Sequence, residues 1–140
     1  MNPSASIRPD AALDIDAGSG RFRVARAAYV DPVLHAGEIE AIFSHCWLFV
    51  GHDSEIPGPN DFVTRTIAGR PVLFLRDRDG AVRCFLNICP HRGAQLGRQK
   101  RGSMRAFSCI YHGWGFENTG RNVHIAERET YAPGFHKPGC

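Results

Sequence analysis

Cys89-Pro90-His91-Arg92-Gly93 and Cys109-Ile110-Tyr111-His112-Gly113-Trp114 decide how this chain is read. Each segment offers one thiolate and one imidazole, and 17 residues separate His91 from Cys109. Each follows a stretch with strand character, so both ligand pairs project from loops. Two such loops facing each other close a Cys₂His₂ pocket. Two cofactors suit that set: a tetrahedral zinc ion, or a [2Fe–2S] cluster with two His on one iron. A zinc finger usually takes a Cys pair from one element and a His pair from another. Here each loop mixes Cys with His, and a single residue separates the first pair. That suits two neighbouring irons, the cysteines on one and the histidines on the other. Gly93 and Gly113 follow closely and let backbone N–H groups approach the sulfurs, where hydrogen bonds tune potential.

Outward from the two segments, apolar residues recur with period two. Asp61–Ile67, Pro71–Arg76 and Ala81–Asn87 read as strands separated by turn-like 68–70 and Asp77-Arg78-Asp79-Gly80. In the third, Val82, Cys84 and Leu86 share the expected inward face. Met104–Ser108, Gly115–Glu117 and Arg121–Ile125 form a second set, with a turn at 118–120. Before them, Asp31-Pro32 is a cap and first-turn pair, though Gly37 could postpone the helix start. Ile39, Ile42, Phe43, Cys46, Trp47 and Val50 then form one apolar stripe, predicting a helix of about three to four turns ended at Gly51. Residues 1–20 are small and polar and read as a loose arm. The expected fold is mainly β: small antiparallel sheets with an N-terminal helix.

Composition narrows the function classes. The 140 residues give one domain with a modest core. At 43% hydrophobic and 22% charged, the composition is globular. No apolar run nears the ~20 residues that span a bilayer, and the N-terminus lacks a signal-peptide pattern. Five cysteines, an odd number, disfavour a disulfide framework and point to a reducing cytoplasm. A net charge of +3 is too mild for nucleic-acid binding.

The two segments resemble the Rieske motif in the large (α) subunit of aromatic ring-hydroxylating dioxygenases. Ile42-Phe43, Trp47, Gly51-His52, Glu55-Ile56-Pro57, Asp61-Phe62, Arg76-Asp77 with Gly80, and Phe85-Leu86-Asn87 extend the similarity over roughly residues 27–138. Arg98–Arg101 and Trp114–Gly120 look most like the benzoate and anthranilate group. The resemblance implies that Cys89 and Cys109 ligate one iron and His91 and His112 the other. It implies a ferredoxin or flavin reductase as electron donor, an assembly with other α and β subunits, and a mononuclear Fe(II) in a catalytic domain. The family continues into that domain where this chain stops, and His35, His45, His52, His124 and His136 do not rebuild its two-His, one-carboxylate site. No catalytic residue is expected here. The expected layout is an arm at 1–26, a helix-containing lead-in at 27–60, the Rieske domain at 61–128 and a connection at 129–140. A free-standing Rieske ferredoxin is the first alternative, disfavoured by the helical segment 31–50; a structural zinc module is the second.

The remaining conspicuous residues have plainer expectations. Cys46 and Cys84 read as buried small hydrophobes, and Cys140 as an exposed end without a role. Trp47 reads as core, and Trp114, two residues past a ligand, as a shield for the cluster. Arg98, Lys100, Arg101 and Arg105 read as a solvated hairpin tip, with steering of an acidic donor as the rival role. His52 and His124 read as surface or packing histidines.

Overall fold

A computed structural model describes residues 12–135; Cys140 and His136 lie outside them. The chain divides into two compact units between Leu48 and Phe49.

The first unit begins with a hairpin, β1 (Leu13–Asp16) and β2 (Arg21–Val24), paired antiparallel from Leu13↔Val24 to Asp16↔Arg21. This stretch was expected inside a loose arm. The Asp16 carboxylate organises its turn, accepting from the N–H of Gly18 and Ser19 and from the Ser19 hydroxyl. Two short helices follow, α1 (Ala27–Val30) and α2 (Pro32–Glu38). Asp31 caps α2 as expected, accepting from Val33 N–H at 2.8 Å and Leu34 N–H at 3.2 Å, with Pro32 in the first turn. Gly37 lies within α2 and does not delay it.

The long helix through Val50 does not form. α2 runs into a π-helical turn, Ile39–Phe43, and stops. Both the N–H and the hydroxyl of Ser44 donate to the Ile39 carbonyl, at 2.9 and 2.8 Å. The hydroxyl thus gives the Ile39 carbonyl a second donor at the C-terminal end of the turn. Trp47 is consequently fully exposed, not core, and Cys46 is exposed rather than buried.

The second unit carries two antiparallel sheets. One has the order β5-β4-β3-β6, built from β3 (Asp61–Ile67), β4 (Arg70–Arg76), β5 (Val82–Leu86) and β6 (Arg101–Ser103). The other has the order β7-β8-β9, from Ala106–Ser108, Gly115–Glu117 and Asn122–His124. Ala68 and Gly69 both take positive φ (47° and 75°) between β3 and β4, the backbone of a tight two-residue hairpin turn. Strand β4 is buried on both faces, from Val72 through Leu75. Leu73 and Leu75 join Phe62, Leu96, Phe107, Trp114 and Phe116 in the main core, which also contains Cys89 and Cys109. Phe74 faces the other way, with Ile56 and Val63. Phe62 and Phe107 meet edge to face at 5.4 Å and join the two sheets. Each such side chain contributes about 1.5–3 kcal/mol on burial.

On β5 the faces are reversed relative to expectation. Val82, Cys84 and Leu86 point outward, while Phe85 packs on the main core. Arg83 sets this orientation: its Nε donates to the fully buried carboxylate of Asp77 at 2.5 Å. Asp77 also accepts from the N–H of Asp79 and Ala81, so one carboxylate organises the β4–β5 turn. The Arg83 guanidinium holds its carboxyl below the usual 3.8, with those two backbone donors adding to the effect against burial.

Candidate metal centre

Both cysteine-histidine loops are built on one backbone scaffold. In the first, which follows β5, Gly93 N–H donates to the Cys89 carbonyl at 2.8 Å and Cys89 N–H to the Ala94 carbonyl at 2.7 Å. In the second, between β7 and β8, Gly113 N–H donates to the Cys109 carbonyl at 3.0 Å and Cys109 N–H to the Trp114 carbonyl at 2.8 Å. The glycine four residues after each cysteine has positive φ, 78° and 67°, which is where glycine is tolerated without strain. The two loops differ in where the histidine sits, two residues after the cysteine in one and three in the other.

The cysteines are 1% and 3% exposed and their thiols lie within hydrogen-bonding reach of each other. Backbone N–H groups of His91 and Arg92 point at the Cys89 sulfur, and those of Tyr111 and His112 at the Cys109 sulfur. Gly93 and Gly113 were expected to bring these donors in. They make the turns, and the residues before them donate. Burial pushes the Cys89 thiol up, and its neighbour Cys109 adds to that. At Cys109 burial acts in the same upward direction, but the Tyr111 and His112 N–H groups together with the Cys89 thiol outweigh it and the thiol is lowered. A pair whose anionic forms receive four backbone donors is suited to holding metal as thiolates.

The imidazoles of His91 and His112 face each other, with centroids 4.7 Å apart and planes at 63°. Nδ1 of His112 is buried with no hydrogen-bond partner, and Nδ1 of His91 is buried as well. A buried acceptor nitrogen without a partner is costly, and metal coordination removes that cost. Trp114, 1% exposed, stacks on His91 at 4.7 Å and 6°, the shielding position expected for it. The structure thus brings the two thiols together and the two imidazoles together. Two per metal is what a binuclear cluster asks of its protein. The residues present therefore fit a [2Fe–2S] group with mixed ligands.

A second clamp escaped the sequence reading. Asn87, two residues before Cys89, is 1% exposed. Its Nδ2 donates to the Gly97 carbonyl at 2.8 Å and its Oδ1 accepts from Gly97 N–H at 2.7 Å. This pair of hydrogen bonds across the loop fixes its two ends. Gly97 fits tightly there: a Cβ would lie 3.0 Å from the Leu73 Cδ1 and 3.1 Å from the Thr64 Cγ2, so those side chains would have to give way.

Of the other expectations, Arg98, Lys100, Arg101 and Arg105 are exposed, as a solvated tip requires. Arg101 belongs to β6, a strand not anticipated. His124 is exposed on β9. His52 is exposed but structural: its Nδ1 accepts from Ser54 N–H while Glu55 accepts from His52 N–H, a reciprocal cap. Glu55 also takes Arg65 at 2.6 Å, and Arg65 donates to the Val50 carbonyl at 2.7 Å. No helix among the described residues is long and apolar enough to cross a membrane.

Comparison with known proteins agrees with this geometry. The sequence profile of the Rieske [2Fe–2S] domain matches residues 46–133. The 2-halobenzoate 1,2-dioxygenase large subunit of Burkholderia cepacia is 36% identical over 130 residues, covering 91% of this chain and 28% of that protein. The anthranilate 1,2-dioxygenase large subunit of Acinetobacter baylyi is 37% identical over 125 residues, covering 89% and 26%. Among solved structures, naphthalene 1,2-dioxygenase from Rhodococcus sp. superposes with a TM-score of 0.71 at 40% identity, covering 77% of this chain and 24% of that one. The chain thus spans about a quarter of the length of the relatives it matches. It is mainly β, it carries the two Cys/His loops on matching scaffolds, and it belongs to the Rieske [2Fe–2S] domain family.

Proposed function

We propose that Cys89 and Cys109 hold one iron of the [2Fe–2S] cluster and that His91 and His112 hold the other. In this reading the chain is the electron-relay part of an aromatic ring-hydroxylating dioxygenase α subunit. The observation that carries it is the facing pair of histidines: two rings 4.7 Å apart, with buried Nδ1 atoms, beside two buried thiols cradled by backbone donors.

When bound, the cluster supplies one-electron redox chemistry at about −150 to +300 mV, against about −400 mV for all-cysteine plant-type ferredoxins. Two neutral imidazoles in place of two thiolates raise the potential, because they remove two negative charges from the site. The chain's own groups set the rest. The N–H groups of His91, Arg92, Tyr111 and His112 stabilise negative charge on the two sulfurs. Trp114 and the surrounding core keep water from the inner side of His91. Residues 61–128 form the cluster-binding part of this reading, with 27–60 as its lead-in.

The electron donor in this reading is a ferredoxin or flavin reductase, and the recipient a mononuclear iron in a catalytic domain. Two named relatives, a 2-halobenzoate and an anthranilate dioxygenase, support an aromatic carboxylate as substrate. Metal and acid-labile sulfide analysis of purified protein tests the assignment. The expected result is a red-brown protein with about two irons and two sulfides per chain. A colourless protein with one zinc would overturn it.

A further inference from the structure

Rings from the two loops interleave. Trp114 of the second loop stacks on His91 of the first, and His91 meets His112 edge-on. His112 in turn lies 3.9 Å from its neighbour Tyr111, with planes at 30°. The guanidinium carbon of Arg92, back in the first loop, sits 5.1 Å from the centre of the Tyr111 ring. The inner end of this stack is closed by a tryptophan 1% exposed, whereas Tyr111 at the outer end is 57% exposed. No protein hydrogen bond holds the Nδ1 of His112, so among the protein's own groups it is packing against Tyr111 and His91 that bears on the tilt of its ring.

We propose that Arg92 and Tyr111 are positioning residues, a cation–π cap with one member from each loop that orients His112 and latches the loops over the cluster. Arginine suits this place because its planar guanidinium stacks on an aromatic face. Neither residue touches the cluster as a ligand. The cap presupposes the ligand assignment above, so its test must fail separately from that assignment.

The test is the rate at which a strong iron chelator bleaches the visible absorbance of the loaded protein. Arg92→Gln and Tyr111→Leu should each speed bleaching about two- to five-fold, the factor that a cation–π contact at an exposed site is worth. The double variant should bleach no faster than the faster single one, because both changes break the same contact. Tyr111→Phe keeps the ring and should restore the wild-type rate. In pulsed electron paramagnetic resonance of the reduced protein, Tyr111→Leu should alter one histidine nitrogen coupling and leave the other in place. Urea midpoints followed by circular dichroism should fall by less than about 1 M in every variant, since a factor of about two to five is all that the contact is worth.

Unchanged bleaching in the single variants, effects that multiply in the double, or a Phe variant that behaves as Leu would overturn the cap while the coloured protein upholds the ligands. Midpoints that fall by more than about 1 M would replace positioning by general stabilisation and overturn it too. A colourless wild-type protein would overturn the ligand assignment and the cap together.

Discussion

Replacing Asn87 by Ala tests how the first ligand loop is held. The side chain makes two hydrogen bonds to one residue, Gly97, and both partners are buried. The two losses differ in size. The Gly97 carbonyl keeps a second donor, Gln95 Nε2 at 3.0 Å, so losing Asn87 there costs a net hydrogen bond, ~0.5–1.5 kcal/mol. The Gly97 N–H has no such reserve, and an orphaned buried donor costs ~1–3 kcal/mol. The sum is about 3 kcal/mol. With a urea m-value near 1.5 kcal/mol per M for a domain this small, the midpoint falls by about 2 M. Urea titration followed by circular dichroism and by cluster absorbance reads both the unit and its loop. Gln95→Ala alone should cost much less, because Asn87 still serves the carbonyl. Combined with Asn87→Ala it should cost more than the sum, since the carbonyl then loses its last side-chain donor. Asn87→Asp keeps the acceptor for Gly97 N–H but sets a carboxylate oxygen against the Gly97 carbonyl, so its deficit should shrink as pH falls and that group protonates. A loss below about 0.5 kcal/mol for Asn87→Ala would refute the clamp.

Three further outcomes are expected. Cys89→Ala and Cys109→Ala should each abolish the cluster, whereas Cys46→Ala and Cys84→Ala, both at exposed positions, should retain full iron and sulfide content. Acid should destabilise the fold through Asp77, Glu55 and Glu117, whose carboxyls Arg83, Arg65 and Arg121 respectively hold below their ordinary values of 3.8, 4.5 and 4.5. Carboxyls lowered in this way stabilise fully above those values, and the contribution is lost as pH falls through the lower folded ones; acid titration by circular dichroism should show Asp77→Asn losing less stability over that range than wild type. Trp114→Ala should cost about 3–5 kcal/mol as a buried aromatic truncation, measured as a urea midpoint, and should broaden the His91 nitrogen signal because that ring loses its stacking partner.

The chemistry of the site was legible because it is local: a thiolate and an imidazole two or three residues apart, followed by glycine, twice. Strands β3 and β4 were legible for a related reason, since period-two apolar runs on either side of a two-residue turn leave few other pairings. Where the reading failed, specific hydrogen-bonding partners decided, some distant and some local. Arg-Gly-Ser at 101–103 has no apolar pattern and becomes β6 only through its register with Asp61–Val63. The faces of β5 turn on an ion pair between the half-exposed Arg83 and the buried Asp77, which outweighs the apolar count of Val82, Cys84 and Leu86. Apolar spacing through Trp47 and Val50 suggested more helix, but the helix passes into a π turn and stops at Ser44, whose N–H and hydroxyl both bond the Ile39 carbonyl. The Asn87 clamp and the Arg92–Tyr111 contact carry no sequence signature, because each depends on a loop folding back on itself or on its counterpart.

The central claim is that one metal of the cluster is held by His91 and His112. Pulsed electron paramagnetic resonance on the reduced chain, labelled with ¹⁵N only at histidine, addresses it directly. The account predicts couplings from two distinct histidine nitrogens, one of which disappears in His91→Ser and the other in His112→Ser if those variants retain metal at all. A reduced, coloured protein with no histidine nitrogen coupled to its unpaired electron would contradict it.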